Sequence, residues 1–83
     1  MSERTEDRIK KMIVERLFLS VAPSEIEDDA DLVELFGLDS IRLFEIAIGL
    51  ESEFGVDLSA VEFDIENFST VSKLAALVKK LQG

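Results

Sequence analysis

Apolar residues return at three- and four-residue intervals in three stretches of the chain, and each stretch predicts a helix. In the first, Ile9, Met12, Ile13 and Leu17 are separated by charged residues, which predicts an amphipathic helix over roughly 4–19, with Phe18 and Leu19 extending its apolar surface. The second runs from Ser40 to about Phe54. Its residues Leu43, Ala47, Leu50 and Phe54 share one face, while Ile41, Phe44 and Ile48 form a second apolar stripe beside it. The third places Val71, Leu74, Ala75, Val78 and Leu81 on one face, with Lys79 and Lys80 in the final turn, where cations complement the helix dipole. A helix needs one stripe to reach its own core, so the second stripe on the middle helix calls for another role.

The connections carry stop and start signals. Ser20 to Asp31 holds the only proline, Pro23, and a run of carboxylates, which predicts a long loop; Leu32, Val33, Leu35 and Phe36 then fold back onto the core, with room for a short helical turn. Asp39 is a good N-cap for the middle helix and Gly55 a good stop, while Ser69 or Thr70 caps the last helix. Val56-Asp57-Leu58 alternates as a strand does but has no strand to pair with, and Val61, Phe63, Ile65 and Phe68 predict a short helix or turn. The expected fold is all-α, a small bundle of three main helices plus one short helix, formed by residues 1–83 as a single domain. Its expected core is Ile9, Ile13, Leu17, Leu32, Leu35, Leu43, Ala47, Leu50, Phe54, Val61, Phe68, Val71, Leu74, Ala75 and Val78.

Composition narrows the chemistry. With no Cys and no His, the chain lacks disulfides, the usual zinc ligand sets and the common nucleophile–base pairs; with no Tyr or Trp it is poorly equipped to stack on nucleic acid. Charge is unevenly spread. Residues 20–69 hold 14 acidic side chains against the single cation Arg42, a net of −13, whereas the two ends are balanced or basic. Such a segment repels nucleic acid and anionic membrane and attracts partners with basic docking surfaces. No apolar run approaches the length of a membrane span, and the charged stretch Met1 to Lys11 leads into no signal-peptide core, so no membrane insertion and a cytoplasmic location are expected. The acidic run Glu25, Glu27, Asp28, Asp29, Asp31 lacks the ligand alternation of a calcium loop and is read as solvated, with no metal site.

The informative stretch is Phe36-Gly37-Leu38-Asp39-Ser40-Ile41, which puts a hydroxyl in the first turn of a helix directly after a carboxylate cap. Amide N–H groups there lack intrahelical partners and the dipole presents its positive end, so a phosphate esterified to Ser40 would be stabilised. Asp-Ser is equally ordinary helix-start chemistry, and the dipeptide alone leaves both readings open.

Its surroundings add to it. Asp39-Ser40-Ile41 departs mildly from the Asp-Ser-Leu signature of the acyl carrier protein family. Around it stand Ala30-Asp31-Leu32, then Leu38, then a helix ending Glu51-Ser52-Glu53-Phe54-Gly55-Val56, then Phe68-Ser69-Thr70-Val71. In this order and at these spacings the chain resembles that family over nearly its whole length. The resemblance implies that a phosphopantetheinyl transferase attaches 4'-phosphopantetheine from coenzyme A to Ser40. The arm's thiol then carries acyl groups as thioesters, and the chain itself is not an enzyme. It also implies docking of acyl-loading and acyl-processing enzymes on the middle helix, through Ile41, Arg42, Phe44, Glu45, Ile48 and Glu51, with the carrier a monomer. Ile41 and Ile48 could instead complete a wide core face or line a cavity for an acyl chain.

Three residues depart from the family's housekeeping fatty acid carriers. Arg42 stands where an acidic or neutral residue is usual, Phe44 is bulkier than the usual aliphatic residue, and Gly49 lies inside a helix at a cost of about 1 kcal/mol against alanine. Gly49 suits close approach by a neighbouring helix or an acyl chain. The departures point toward a discrete carrier for a dedicated lipid, polyketide or related pathway. An alternative cargo class comes from Phe54-Gly55-Val56-Asp57-Leu58, Glu62-Phe63-Asp64 and Asn67-Phe68-Ser69-Thr70, which resemble D-alanyl carrier proteins. A further alternative is a non-carrying interaction subunit of the same fold, in which Ser40 stays unmodified.

Overall fold

In the computed structural model, which describes residues 4–59 and 65–82, the chain forms α1 (Thr5–Arg16), α2 (Leu32–Phe36), α3 (Ser40–Phe54) and α4 (Val71–Gln82), with 3-10 turns at Pro23–Glu25 and Ile65–Phe68. No strand occurs among the described residues, and Val56–Leu58 is irregular. The all-α expectation holds, with α1 ending three residues earlier than the pattern suggests. Among the described residues the one short α-helix lies in the loop before Ser40, and the described part of the stretch 61–68 is a 3-10 turn. Asp31 caps α2 by accepting the Glu34 N–H at 3.1 Å, and Gly37 ends it at φ +61°, in the left-handed region that favours glycine.

Ile9, Met12 and Ile13 of α1, Leu43, Ile46, Ala47 and Leu50 of α3, and Val71, Leu74, Ala75 and Val78 of α4 enclose a core that Leu17, Ile26, Leu32, Leu38, Leu58 and Phe68 complete. Leu35 is a correction: expected inside, it is 56% exposed. In a helix of five residues Leu32, Val33 and Phe36 share the inward face, and Leu35 falls outside it. Phe54 is half-buried and packs against the core from its edge, beneath the Arg8 guanidinium 4.4 Å from its ring centroid. Val61 lies outside the described residues. Met12, Ile26, Leu38, Ile46 and Leu58 belong to the core without having been expected there.

Helices α1 and α3 are antiparallel. Arg8 bonds Glu53 Oε2 at 2.9 Å, and Arg16 Nε lies 3.3 Å from Glu45 Oε2, a charge contact without hydrogen-bond alignment. Between these pairs Gly49 faces Met12, and a Cβ there would overlap Met12 Sδ. Gly49 therefore serves the approach of a neighbouring helix.

The acidic loop is less solvated than its composition suggests. Asp28 accepts from Lys10, which is buried, at 2.6 Å and from Arg4 at 3.1 Å; its carbonyl accepts the Ser72 N–H at 2.9 Å, and Asp29 accepts the Ser72 hydroxyl at 2.8 Å. Glu25 accepts the Ala22 N–H at 2.6 Å. These bonds staple the loop to α1 and to the start of α4. The hydrogen bond from Lys10, seconded by Arg4, holds the Asp28 carboxyl below its ordinary range. The folded state therefore prefers the ionised form more than the unfolded chain does. The stabilisation is present above the unfolded value of about 4 and is lost as pH falls through the folded pKa. Asp28→Asn is expected to lower the thermal midpoint at pH 7 and to flatten its fall between pH 5 and 2. Parallel acid limbs in the two proteins would remove Asp28 from the account.

Candidate functional site: the start of α3

Local chemistry sets the start of α3. Leu38 is buried and donates its N–H to the Val33 carbonyl at 3.1 Å, which anchors the chain just before the turn. Asp39 is extended, and its Oδ1 accepts the Arg42 N–H at 2.9 Å while its carbonyl accepts the Leu43 N–H at 3.0 Å. Ser40 is the first helical residue, exposed, with no side-chain partner among the described residues. The Ser40 and Ile41 amides precede the first intrahelical bond and point their N–H groups outward. Some other serines are engaged: Ser69 donates its hydroxyl to the Glu66 carbonyl at 2.8 Å, Ser72 donates its hydroxyl to Asp29, and the Ser59 N–H donates to Asp57 Oδ1 at 2.9 Å, with Ser59 holding that carboxyl below its usual range.

The second stripe of α3 lies outside the core. Ile41 is 73% exposed and Phe44 57%. Ile48 is half-buried and, with Phe44, Ala47, Glu51, Leu58, Ser59 and Phe68, lines a recess of about 330 Å³ beside α3. The two carboxylates expected to meet partners are both partly engaged within the molecule. Glu45 faces Arg16 of α1, and Glu51 accepts the Leu58 N–H at 2.8 Å, which fixes the chain after α3. Arg42 is exposed and only its backbone N–H has a described partner. Sequence reasoning missed Phe18, which is 93% exposed beyond the end of α1. Its left-handed backbone leaves no mark on the apolar pattern.

Residues 7–78 match the phosphopantetheine attachment site family, a span that contains α2, Asp39 and Ser40. The chain is 33% identical to the acyl carrier protein of Thermotoga maritima across the full length of both. The chain belongs to the acyl carrier protein family. It is also 35% identical to the acyl carrier protein of Chlamydia caviae, over 94% of this chain and 96% of that one. A solved structure of KstB-PCP in its apo form superposes with a TM-score of 0.75 at 29% identity, covering 92% of this carrier and 84% of that chain. The chain is thus a carrier rather than an enzyme, its prosthetic group is 4'-phosphopantetheine, and carriers of this kind meet phosphopantetheinyl transferases and acyl-processing enzymes. No helix among the described residues is long and apolar enough to cross a membrane, and no group of three or more Asp or Glu among them could hold a metal ion.

The residues at the start of α3 fit that prosthetic group. An exposed hydroxyl offers the oxygen for a phosphodiester, outward amides offer donors to an anion, and the capping carboxylate is turned to the Arg42 N–H.

Proposed function

We propose that Ser40 carries the phosphopantetheine arm, and that residues 1–83 act as one monomeric carrier domain for acyl groups in a dedicated lipid, polyketide or related pathway. The observation that supports the site is the exposed Ser40 hydroxyl at the first position of α3, directly after the Asp39 cap and inside the matched span. When bound, the arm supplies the thiol that this cysteine-free chain lacks and holds acyl groups as thioesters. Ser40 Oγ provides the ester oxygen and loses its proton as the bond to phosphorus forms; the bond from that phosphorus to the nucleotide half of coenzyme A breaks. Asp39 keeps the turn in place, and the Ser40 and Ile41 amides face the added charge.

Partners acting at this site meet α3 on its outer side. Ile41 and Phe44 supply apolar contact, Ile48 stands at the rim of the recess, and Arg42 sets one cation among acids. The net −13 of residues 20–69 speeds encounter with basic surfaces. Glu45 and Glu51 contribute less than their charge suggests, because Arg16 and the Leu58 amide already hold them. The acyl cargo is favoured over an aminoacyl one by the acyl carrier relatives, and a dedicated pathway by Arg42 and the exposed bulk of Phe44.

Incubation with coenzyme A and a broad-specificity phosphopantetheinyl transferase is expected to add one phosphopantetheinyl group, located by fragment mass spectrometry on Ser40. A folded protein that gains no mass, or gains it on another serine, refutes the site.

A further inference from the structure

Helix α3 bears one cation, Arg42, against three carboxylates, Glu45, Glu51 and Glu53. Each carboxylate is engaged elsewhere: Glu45 with Arg16, Glu51 with the Leu58 N–H and Glu53 with Arg8. The acids three positions to either side of Arg42, at the spacing where helical neighbours meet, are Asp39 and Glu45. Asp39 turns its Oδ1 to the Arg42 N–H at 2.9 Å, Glu45 turns to α1, and neither forms an ion pair with the guanidinium. Arg42 is exposed, and its side chain has no partner among the described residues. A cation that stands among acids and pairs with none of them is left for an anion that the bare chain does not contain.

The prosthetic group supplies that anion. Attached to Ser40, it brings a phosphodiester charge two residues before Arg42, in the same helical turn. Along the wall of a helix, residues two apart do not face each other. The first turn relaxes that rule. A group on Ser40, the first helical residue, extends past the end of the helix, and side chains lean toward that end. The two Cα atoms of such a pair are about 5.5 Å apart in an α-helix, within reach of the long arginine stem. The Ser40 and Ile41 amides offer the phosphate partial charges, whereas Arg42 offers a full charge and a planar fork of donors that suits phosphate oxygens.

We propose that the Arg42 guanidinium is the counter-ion of the phosphodiester that joins the arm to Ser40, holding the base of the arm at the start of α3. This rests on Ser40 being the attachment site. The test prepares wild type, Arg42→Gln and Arg42→Lys in apo form and, with coenzyme A and a broad-specificity transferase, in holo form. It compares the change in thermal midpoint on attachment, together with the phosphorus resonance of the arm. In low salt the holo-minus-apo change is expected to be about 1–4 °C less favourable in Arg42→Gln than in wild type, as suits one exposed charge pair in a small domain. That difference is expected to fall by at least half in about 0.5 M salt, and Arg42→Lys is expected to recover at least half of it. The phosphorus resonance of holo Arg42→Gln is expected to differ from that of wild type. An unmoved resonance, or an equal midpoint change in wild type and Arg42→Gln, overturns the proposal and leaves Ser40 standing. A raised transferase KM in Arg42→Gln with an equal midpoint change also overturns it, and places the cation on a partner's carboxylate. A lysine variant no better than glutamine, or a difference that high salt leaves undiminished, shows a role other than charge and overturns it too. No mass gain in wild type removes the attachment site and this proposal together.

Discussion

Ser40→Ala is expected to abolish phosphopantetheine attachment, and with it all thioester carriage, while leaving the helix as stable as before. The two effects separate because the residues around the turn divide their work. Asp39 caps α3 through its side chain, accepting the Arg42 N–H, and Leu38 anchors the approach from the core. The Ser40 side chain makes no described bond within the molecule, and alanine is the better helix former by a few tenths of a kcal/mol. Intact mass and circular dichroism on the same sample read both outcomes. Asp39→Ala is expected to behave in the opposite way, losing about 0.5–2 kcal/mol of stability as a deleted N-cap does, while still accepting the arm. A Ser40→Ala protein that still gains mass would falsify the assignment. One that unfolds would show that the hydroxyl supports the turn after all.

That division also explains which parts of the site could be read in the sequence. The start of α3 was legible because capping is local: Asp39, its helix and the preceding Gly37 lie within a few residues of one another. The faces of α1 and α4 were legible for a similar reason, as their apolar periods lie within single helices. On α3 the extra stripe of Ile41 and Phe44 was visible as a surplus, and both residues are indeed exposed. Ile46 was missed because two overlapping stripes left it assigned to neither, although it lies three residues from Leu43 and four from Leu50, on the inward face. The engagement of Glu45 by Arg16 was not legible, since the two stand 29 positions apart and meet only once α1 and α3 pack. Nor were the duties of Asp28 and Asp29, whose partners on α1 and α4 turn an acidic run into a clasp. Leu35 and Phe18 were misplaced for opposite reasons. In a five-residue helix one apolar side chain has no inward direction left, and beyond α1 a left-handed turn swings the ring away from the core.

Gly49→Leu is expected to cost about 2–3 kcal/mol, because added volume in a packed helix interface outweighs the better helix propensity. Propensity alone argues for the substitution: glycine inside an exposed helix is worse than alanine or leucine by nearly 1 kcal/mol. The site is not exposed. Gly49 is buried against α1, where even a Cβ would overlap Met12 Sδ and come within 3.0 Å of Arg16 Cδ. Methionine is flexible enough to turn its thioether aside for a single carbon, so Gly49→Ala is expected to lie within about 1 kcal/mol of wild type, its propensity gain offset by the displaced Met12. Leucine adds three more carbons along the same line and must push α1 away. That shift would reach the Arg8–Glu53 and Arg16–Glu45 pairs on either side. Urea titrations of the two variants with an unchanged m-value give the comparison directly. A Gly49→Leu protein as stable as wild type would mean that α1 and α3 do not meet at this glycine. A graded loss, small for alanine and several-fold larger for leucine, identifies the missing side chain as what lets the helix bearing Ser40 lie close to α1.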